Sequence, residues 1–473
     1  MVFSDPLFLF GFLPAFFILY YLIADRFRNL FIALMSLLFY AVGEMRFFWV
    51  LLLSIAINYG FGLAIERWGR RDGAHTAAAL PLVTGGVLGN LGILVYFKYV
   101  GFFTGNVSAF VEMMGLGFVV PVVHHVLPLG VSFFTFQGIS YVVDVYRGDV
   151  RPTRSLVKFS AYKLLFPQLI AGPIVRYAEV SQDMTSRDIT PSLAMEGVER
   201  FVTGLAKKVL LADTFALAAD GVFGADPGTL SSSAAWLGAV CYAFQIYFDF
   251  SAYSDMAIGL GRMMGFHYPE NFHYPYSATS VRDFWRRWHM TLTRWFRDYV
   301  YIPLGGNRHG SGRTYANLFI IFLLTGFWHG AEWTFLAWGI WHGLFMVLER
   351  RFDPDRWPVP AVLVRLYTLL VVLFGWVLFR SESFGQAFGM VERMLFIDRG
   401  SPTRWFTEFF DPVLAIALVF GVVLSVPVYP WIKARLHPRL RPVLGVVVLG
   451  ALFALAALKS GVGAYSPFLY FRF

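Results

Sequence analysis

Between Asp411 and Lys433 the chain reads PVLAIALVFGVVLSVPVYPWI (412–432), a run without a single charged side chain. As a helix rising ~1.5 Å per residue, such a run can cross a bilayer core of ~30 Å. A helix suits that solvent because it satisfies its own backbone polar groups. The pattern recurs from end to end. Residues 6–24, 74–97, 227–248, 314–331, 333–348 and 442–458 carry no Asp, Glu, Lys or Arg, and shorter uncharged runs occupy 30–43, 47–63, 126–143 and 366–379.

Composition agrees. Of 473 residues, 57% are hydrophobic and only 15% charged, and the mean hydropathy is +0.59. Soluble domains carry about 25% charged residues. The sequence therefore predicts an all-α, polytopic transmembrane helical protein with roughly ten to twelve spans, plus re-entrant and interfacial helices. No 20–50 residue repeat, low-complexity tract or linker divides it, so residues 1–473 read as one membrane domain. The run 6–24 has no basic segment before it and no small-residue cleavage site after it, so it is expected to remain as a helix.

The net charge of +9 does not indicate nucleic acid, because the basic residues lie between apolar runs. Arg26 and Arg28 follow the first run, Arg67, Arg70 and Arg71 a later one, and Lys433, Arg435, Arg439 and Arg441 precede the last. Placing all three clusters in the cytoplasm satisfies the positive-inside rule and puts both termini outside. The single cysteine, Cys241, excludes an intramolecular disulfide and a cysteine zinc cluster, and its apolar setting predicts a buried thiol.

Three stretches depart from simple spans. Leu127-Pro128-Leu129-Gly130 opens one that runs to Arg147-Gly148, and Phe166-Pro167 through Gly172-Pro173 forms the second. Two prolines and a glycine in eight residues break a regular helix, and broken backbone at membrane depth must be covered by protein or line a wet cavity. In the third, Phe284, Trp288, Leu292, Trp295 and Tyr299 recur at helical spacing, as do Arg282, Arg286, His289, Thr293 and Arg297. The spacing predicts one interfacial helix over 280–299 with an aromatic face opposite a basic one. Pro303-Leu304-Gly305-Gly306-Asn307 then marks a turn.

Histidine is the natural general base near neutral pH. His75, His267, His309 and His437 lie in polar connections, and His124 and His125 are adjacent. His329 ends an uncharged run in Gly326-Phe327-Trp328-His329-Gly330-Ala331, and His342 follows in Trp341-His342-Gly343. An ionisable group in an apolar span is a functional candidate. A neutral histidine bonded to a neighbouring helix is the alternative, and the residues alone leave both open. No nucleophile elbow, His-Glu-x-x-His motif or phosphate loop is present. A polytopic transporter also fits these features, although no paired halves occur.

Five stretches resemble the membrane-bound O-acyltransferases: 166–177 (FPQLIAGPIVRY), 247–261 (YFDFSAYSDMAIGLG), 283–292 (DFWRRWHMTL), 301–307 (YIPLGGN) and 326–331 (GFWHGA). The likeness extends to Met1-Val2-Phe3-Ser4 and to Ser466-Pro467-Phe468-Leu469-Tyr470-Phe471-Arg472-Phe473, which is similar to the bacterial branch serving polysaccharide O-acetylation, with alginate, cellulose or peptidoglycan as the polymer. The resemblance implies helices around a central funnel or tunnel, with His329 as catalytic histidine and His289 as the second site histidine. It implies acetyl transfer from a cytoplasmic donor, acetyl-CoA, across the bacterial inner membrane, with no tightly bound cofactor or metal. The implied partners are the lipid bilayer and periplasmic or membrane-anchored polysaccharide acetyltransferase proteins.

Overall fold

The structure, a computed structural model, describes residues 2–71, 74–123, 125–396, 402–435, 437, 440–462 and 468–469. Met1, His124, Arg439, Ser466, Pro467 and Tyr470–Phe473 lie outside the described residues. The described chain is almost wholly helical; one two-residue hairpin pairs Arg70–Arg71 with Ala74–His75.

Most uncharged runs are helices. Runs 30–43 and 47–63 lie in Asp25–Glu44 and Phe48–Ala64, 366–379 in Ala361–Arg380, and 442–458 in Leu440–Val462. Among the described residues, Asp25–Gly69, Ala79–Met113, Ala361–Arg380 and Pro442–Val462 are long and apolar enough to cross a membrane. The run 412–432 does not form one helix. It ends as Pro412–Leu424, turns, and resumes as Val428–Arg435. Pro427 has no amide hydrogen to donate and disfavours a helical residue before it.

Two compact units are present: 1–198 with 257–269, and 199–256 with 270–473. In the first, the side-chain amides of Asn58 and Asn90 bond each other at 2.8 and 3.0 Å, linking two helices. Gly138 leaves them room, since a Cβ there would lie 2.6 Å from the Asn58 Nδ2. The two broken stretches belong here. Gly130, at φ +74°, precedes helix Val131–Arg147, and Gly148, at φ +83°, ends it; glycine tolerates this region. Phe166–Leu169 is a short helix whose residues are all buried, with the Phe166 ring against Phe12 and Phe16 at 5.4 and 5.1 Å. The second broken stretch is thus covered by protein.

The second unit contains residues 232–256 of the long helix Ser232–Met263, then Val281–Arg287 and Met290–Phe296, and then a hairpin of Gly310–His329 and Trp333–Arg351. Only Gly330-Ala331-Glu332 joins the hairpin helices. Gly326 faces Gly339 so closely that a Cβ on Gly326 would lie 3.2 Å from the Gly339 Cα, and one on Gly339 would overlap the Phe322 carbonyl oxygen. Gly339 and Gly343 are four residues apart, the small-residue spacing by which helices approach closely in apolar media.

Gly339→Leu must push the hairpin apart. It is expected to lower thermal stability in detergent by at least the ~1–3 kcal/mol typical of overpacking. Gly92→Ala, with nothing within 4 Å of the added Cβ, should lose nothing. Size-exclusion chromatography after graded heating compares the two.

Candidate active site

The 280–299 segment is not the single helix its periodicity predicts. Helix Val281–Arg287 stops, Trp288 takes extended backbone angles, and His289 sits in the left-handed region at φ 41° before helix Met290–Phe296 starts. The cause lies outside the segment, in residues 271–273. The His273 N–H donates to the Arg287 carbonyl at 2.9 Å, and the Met290 N–H donates to the Asn271 carbonyl at 2.9 Å. These bonds hold the break open. At the other end, Ser280 caps Val281–Arg287, and the Glu349 carboxylate accepts the Val281 and Arg282 amides at 2.7 and 3.0 Å. A carboxylate there also complements the positive end of the helix.

The break moves His289 off the basic face and buries it completely. Its Nδ1 lies 3.0 Å from the Asn271 Oδ1, and its ring stands edge-on to Phe250 at 4.7 Å. Of the opposite pattern, Phe284, Trp288, Leu292 and Trp295 are buried as the spacing predicts, and Tyr299 is half-buried.

His329 is the last residue of its helix and is 3% exposed. Gly330 then takes extended angles, and any Cβ there would overlap the Phe335 ring. The His329 ring is bracketed by Trp328 at 4.8 Å, Trp338 at 5.1 Å and Phe379 at 5.1 Å. His342, one turn beyond Trp338, is also 5.1 Å from it and fully buried. The Trp285 indole N–H donates to the His342 Nδ1 at 3.4 Å. Its Nε2 faces Gly375, where a Cβ would lie 2.7 Å away.

Trp328 is 6.2 Å from His289 and 4.8 Å from His329, so both predicted site histidines pack on one indole. The buried indole N–H of Trp338 has no acceptor among the described residues. His75, His267, His309 and His437 are exposed, and Cys241 is buried, as their sequence settings predict. Sequence reasoning missed Asn271 and Trp338. The first lies in a polar connection with no periodicity, and the second reads as one more aromatic in an apolar run.

The carboxylates of 247–261 are occupied by cations. Asp249 binds Lys208 at 2.7 Å, and Lys208 also binds Asp213 at 2.8 Å. Asp255 binds Arg200 and Lys207 at 2.7 and 2.6 Å. The second Asp249 oxygen accepts the Leu469 amide at 2.6 Å, and Phe468 packs on Tyr253 at 4.7 Å.

Residues 149–355, which include His289, His329 and His342, match the profile of the membrane-bound O-acyltransferase family, MBOAT. The chain is 40% identical to the probable alginate O-acetylase AlgI of Pseudomonas putida, over all of both chains. It is 45% identical to the probable alginate O-acetylase AlgI of Pseudomonas aeruginosa, over 83% of this chain and 75% of that one. A peptidoglycan O-acetyltransferase of Helicobacter pylori is 37% identical over 84% of this chain and 80% of its own.

Asp249→Ala strands the nearly buried Lys208 with one carboxylate and frees the Leu469 amide. Breaking a buried ion pair costs about 3–5 kcal/mol, so a large fall in thermal stability is expected. Asp249→Asn, which keeps an acceptor for that amide, should fall less. Thermal unfolding of the purified proteins measures the order.

Proposed function

The chain belongs to the membrane-bound O-acyltransferase family, and on that premise we propose that it carries acetyl groups from a cytoplasmic donor across the bacterial inner membrane for O-acetylation of an extracellular polysaccharide. It is an O-acyltransferase. Alginate is the polymer we favour, because the relatives named for alginate O-acetylation are 40 and 45% identical to this chain, against 37% for the peptidoglycan enzyme. The donor we propose is acetyl-CoA. Partner acetyltransferase proteins, periplasmic or membrane-anchored, complete delivery to the sugar. In this reading the chain crosses the bilayer roughly ten to twelve times around a funnel, with its basic loops in the cytoplasm and both termini outside.

The observation that carries the proposal is the placement of His329. It is a buried imidazole at a helix end, framed by two indoles and joined through one of them to a second buried histidine. An acetyl thioester is already activated, so the task is to bring its carbonyl and an acceptor hydroxyl together, which proximity accomplishes. His329 takes the hydroxyl proton as the oxygen attacks the carbonyl carbon. The C–S bond then breaks, the thiolate leaves, and the ester is formed. The Trp338 N–H, which has no acceptor among the described residues, supplies a donor for the oxyanion that develops between the two steps.

The test is polysaccharide acetyl content in a deletion strain complemented with each variant at matched membrane levels. His329→Ala should fall to background, since general-base contributions are about 10²–10⁴-fold. His329→Gln should fail equally, because an amide can hydrogen-bond but cannot take the proton. Trp338→Phe should lower the transfer rate by about 10²–10³-fold. Rescue by glutamine would make His329 a packing residue and remove it from the chemistry.

A further inference from the structure

The Asn271 side chain ties its connection to two helices. Its Oδ1 accepts from the Thr291 amide at 3.3 Å and the Thr291 hydroxyl at 2.9 Å, and its Nδ2 donates to the Ser254 hydroxyl at 3.0 Å. Its backbone carbonyl accepts the Met290 amide. His289 is the residue at the cap position of helix Met290–Phe296, yet it makes no side-chain cap. Asn271 accepts the Thr291 amide in its place, from 20 residues away, and the His289 imidazole meets the same oxygen through Nδ1.

These bonds also decide what the imidazole offers. A backbone N–H can only donate, so the Asn271 atom facing Thr291 must be the carbonyl oxygen. The amide cannot be flipped without setting its NH₂ against that N–H. The same oxygen lies 3.0 Å from the His289 Nδ1. An amide oxygen only accepts, so Nδ1 carries the proton. In neutral imidazole the other nitrogen then holds a lone pair. That nitrogen, Nε2, is buried and has no hydrogen-bond partner among the described residues.

We infer that Asn271 is a positioning residue that locks His289 in the Nδ1–H tautomer, so that His289 meets the reacting groups as a proton or hydrogen-bond acceptor through Nε2. This rests on the acyl-transfer reading above and adds to it. A neutral His289 in this tautomer has no N–H left for the oxyanion, which leaves that role to donors such as Trp338. The left-handed backbone at His289 fits the assignment. Non-glycine residues in this region cost about 1–3 kcal/mol and persist where the surroundings hold them, and the clamp from 271–273 supplies that hold.

The experiment uses the full-length protein in membranes. ¹⁵N-histidine spectra of the unaltered chain, with His289 assigned by its absence in His289→Gln, report the tautomer directly. The expected signature is a protonated Nδ1 and an unprotonated Nε2, and a protonated Nε2 in the neutral ring overturns the inference. Initial rates are then measured against acetyl-CoA concentration in inverted vesicles from a complemented deletion strain. Asn271→Leu should lower kcat by about 10–100-fold, as loss of a histidine's orienting partner commonly does, with KM little changed. Asn271→Asp keeps the oxygen acceptor but buries a carboxylate beside the imidazole, so it should retain more activity than Asn271→Leu without reaching the unaltered rate. A normal kcat for Asn271→Leu, or equal failure of the leucine and aspartate variants while both insert and fold, overturns the inference. His329→Ala runs in parallel. Full activity there would remove the base proposed above while leaving the His289 tautomer to be judged from its own spectrum.

Discussion

The site depends on two helix backbones touching. Gly326 and Gly339 approach so closely that neither position has room for a methyl group. In an apolar solvent helices gain nothing from hiding hydrocarbon from lipid, so close packing and polar contacts must hold them together. The same contact fixes the register of the hairpin. With three connecting residues and one glycine pair in contact, Trp338 stands against His329, and His342 follows one turn later. The aromatic frame around the histidine thus follows from two missing side chains more than from the aromatic residues themselves.

A second constraint is the neutralisation of charge inside the long helix Ser232–Met263. Its carboxylates Asp249 and Asp255 are nearly buried, and unpaired they would be costly. Lys208, Lys207 and Arg200 meet them, all from a stretch that precedes the helix by fewer than sixty residues. The Asp249 carboxylate also receives the Leu469 amide, so one ion pair serves both the helix packing and the seating of Phe468 on Tyr253. The carboxylates of Asp249 and Asp255 in the 247–261 stretch are thus held in ion pairs that tie this helix to residues 200–208.

Much of this was legible in the sequence. Uncharged runs became helices because burial and lipid both favour apolar faces, and His329 and His342 stood out as ionisable groups within such runs. The break at Trp288-His289 was not legible. Helical periodicity counts residues along one segment, and here the interrupting bonds come from Asn271 and His273, in a connection that carries no pattern of its own. For the same reason His289, placed by periodicity on a basic face, proved wholly buried. The 412–432 run failed differently. Its composition was uniformly apolar, but Pro427 removed an amide that the helix required.

The partners of the buried histidines differ from those of a hydrolase triad. His289 is oriented by an amide, Asn271, and His342 by an indole, Trp285. Both partners are neutral. A carboxylate would hold an imidazole just as well, but it would have to lose its water, and in an apolar interior that desolvation outweighs what one hydrogen bond returns. A neutral partner fixes the tautomer without that cost and without favouring imidazolium before substrate arrives. An orienting bond from a neutral amide is therefore compatible with proton transfer at His289, because that bond, at Nδ1, leaves the lone pair of Nε2 available.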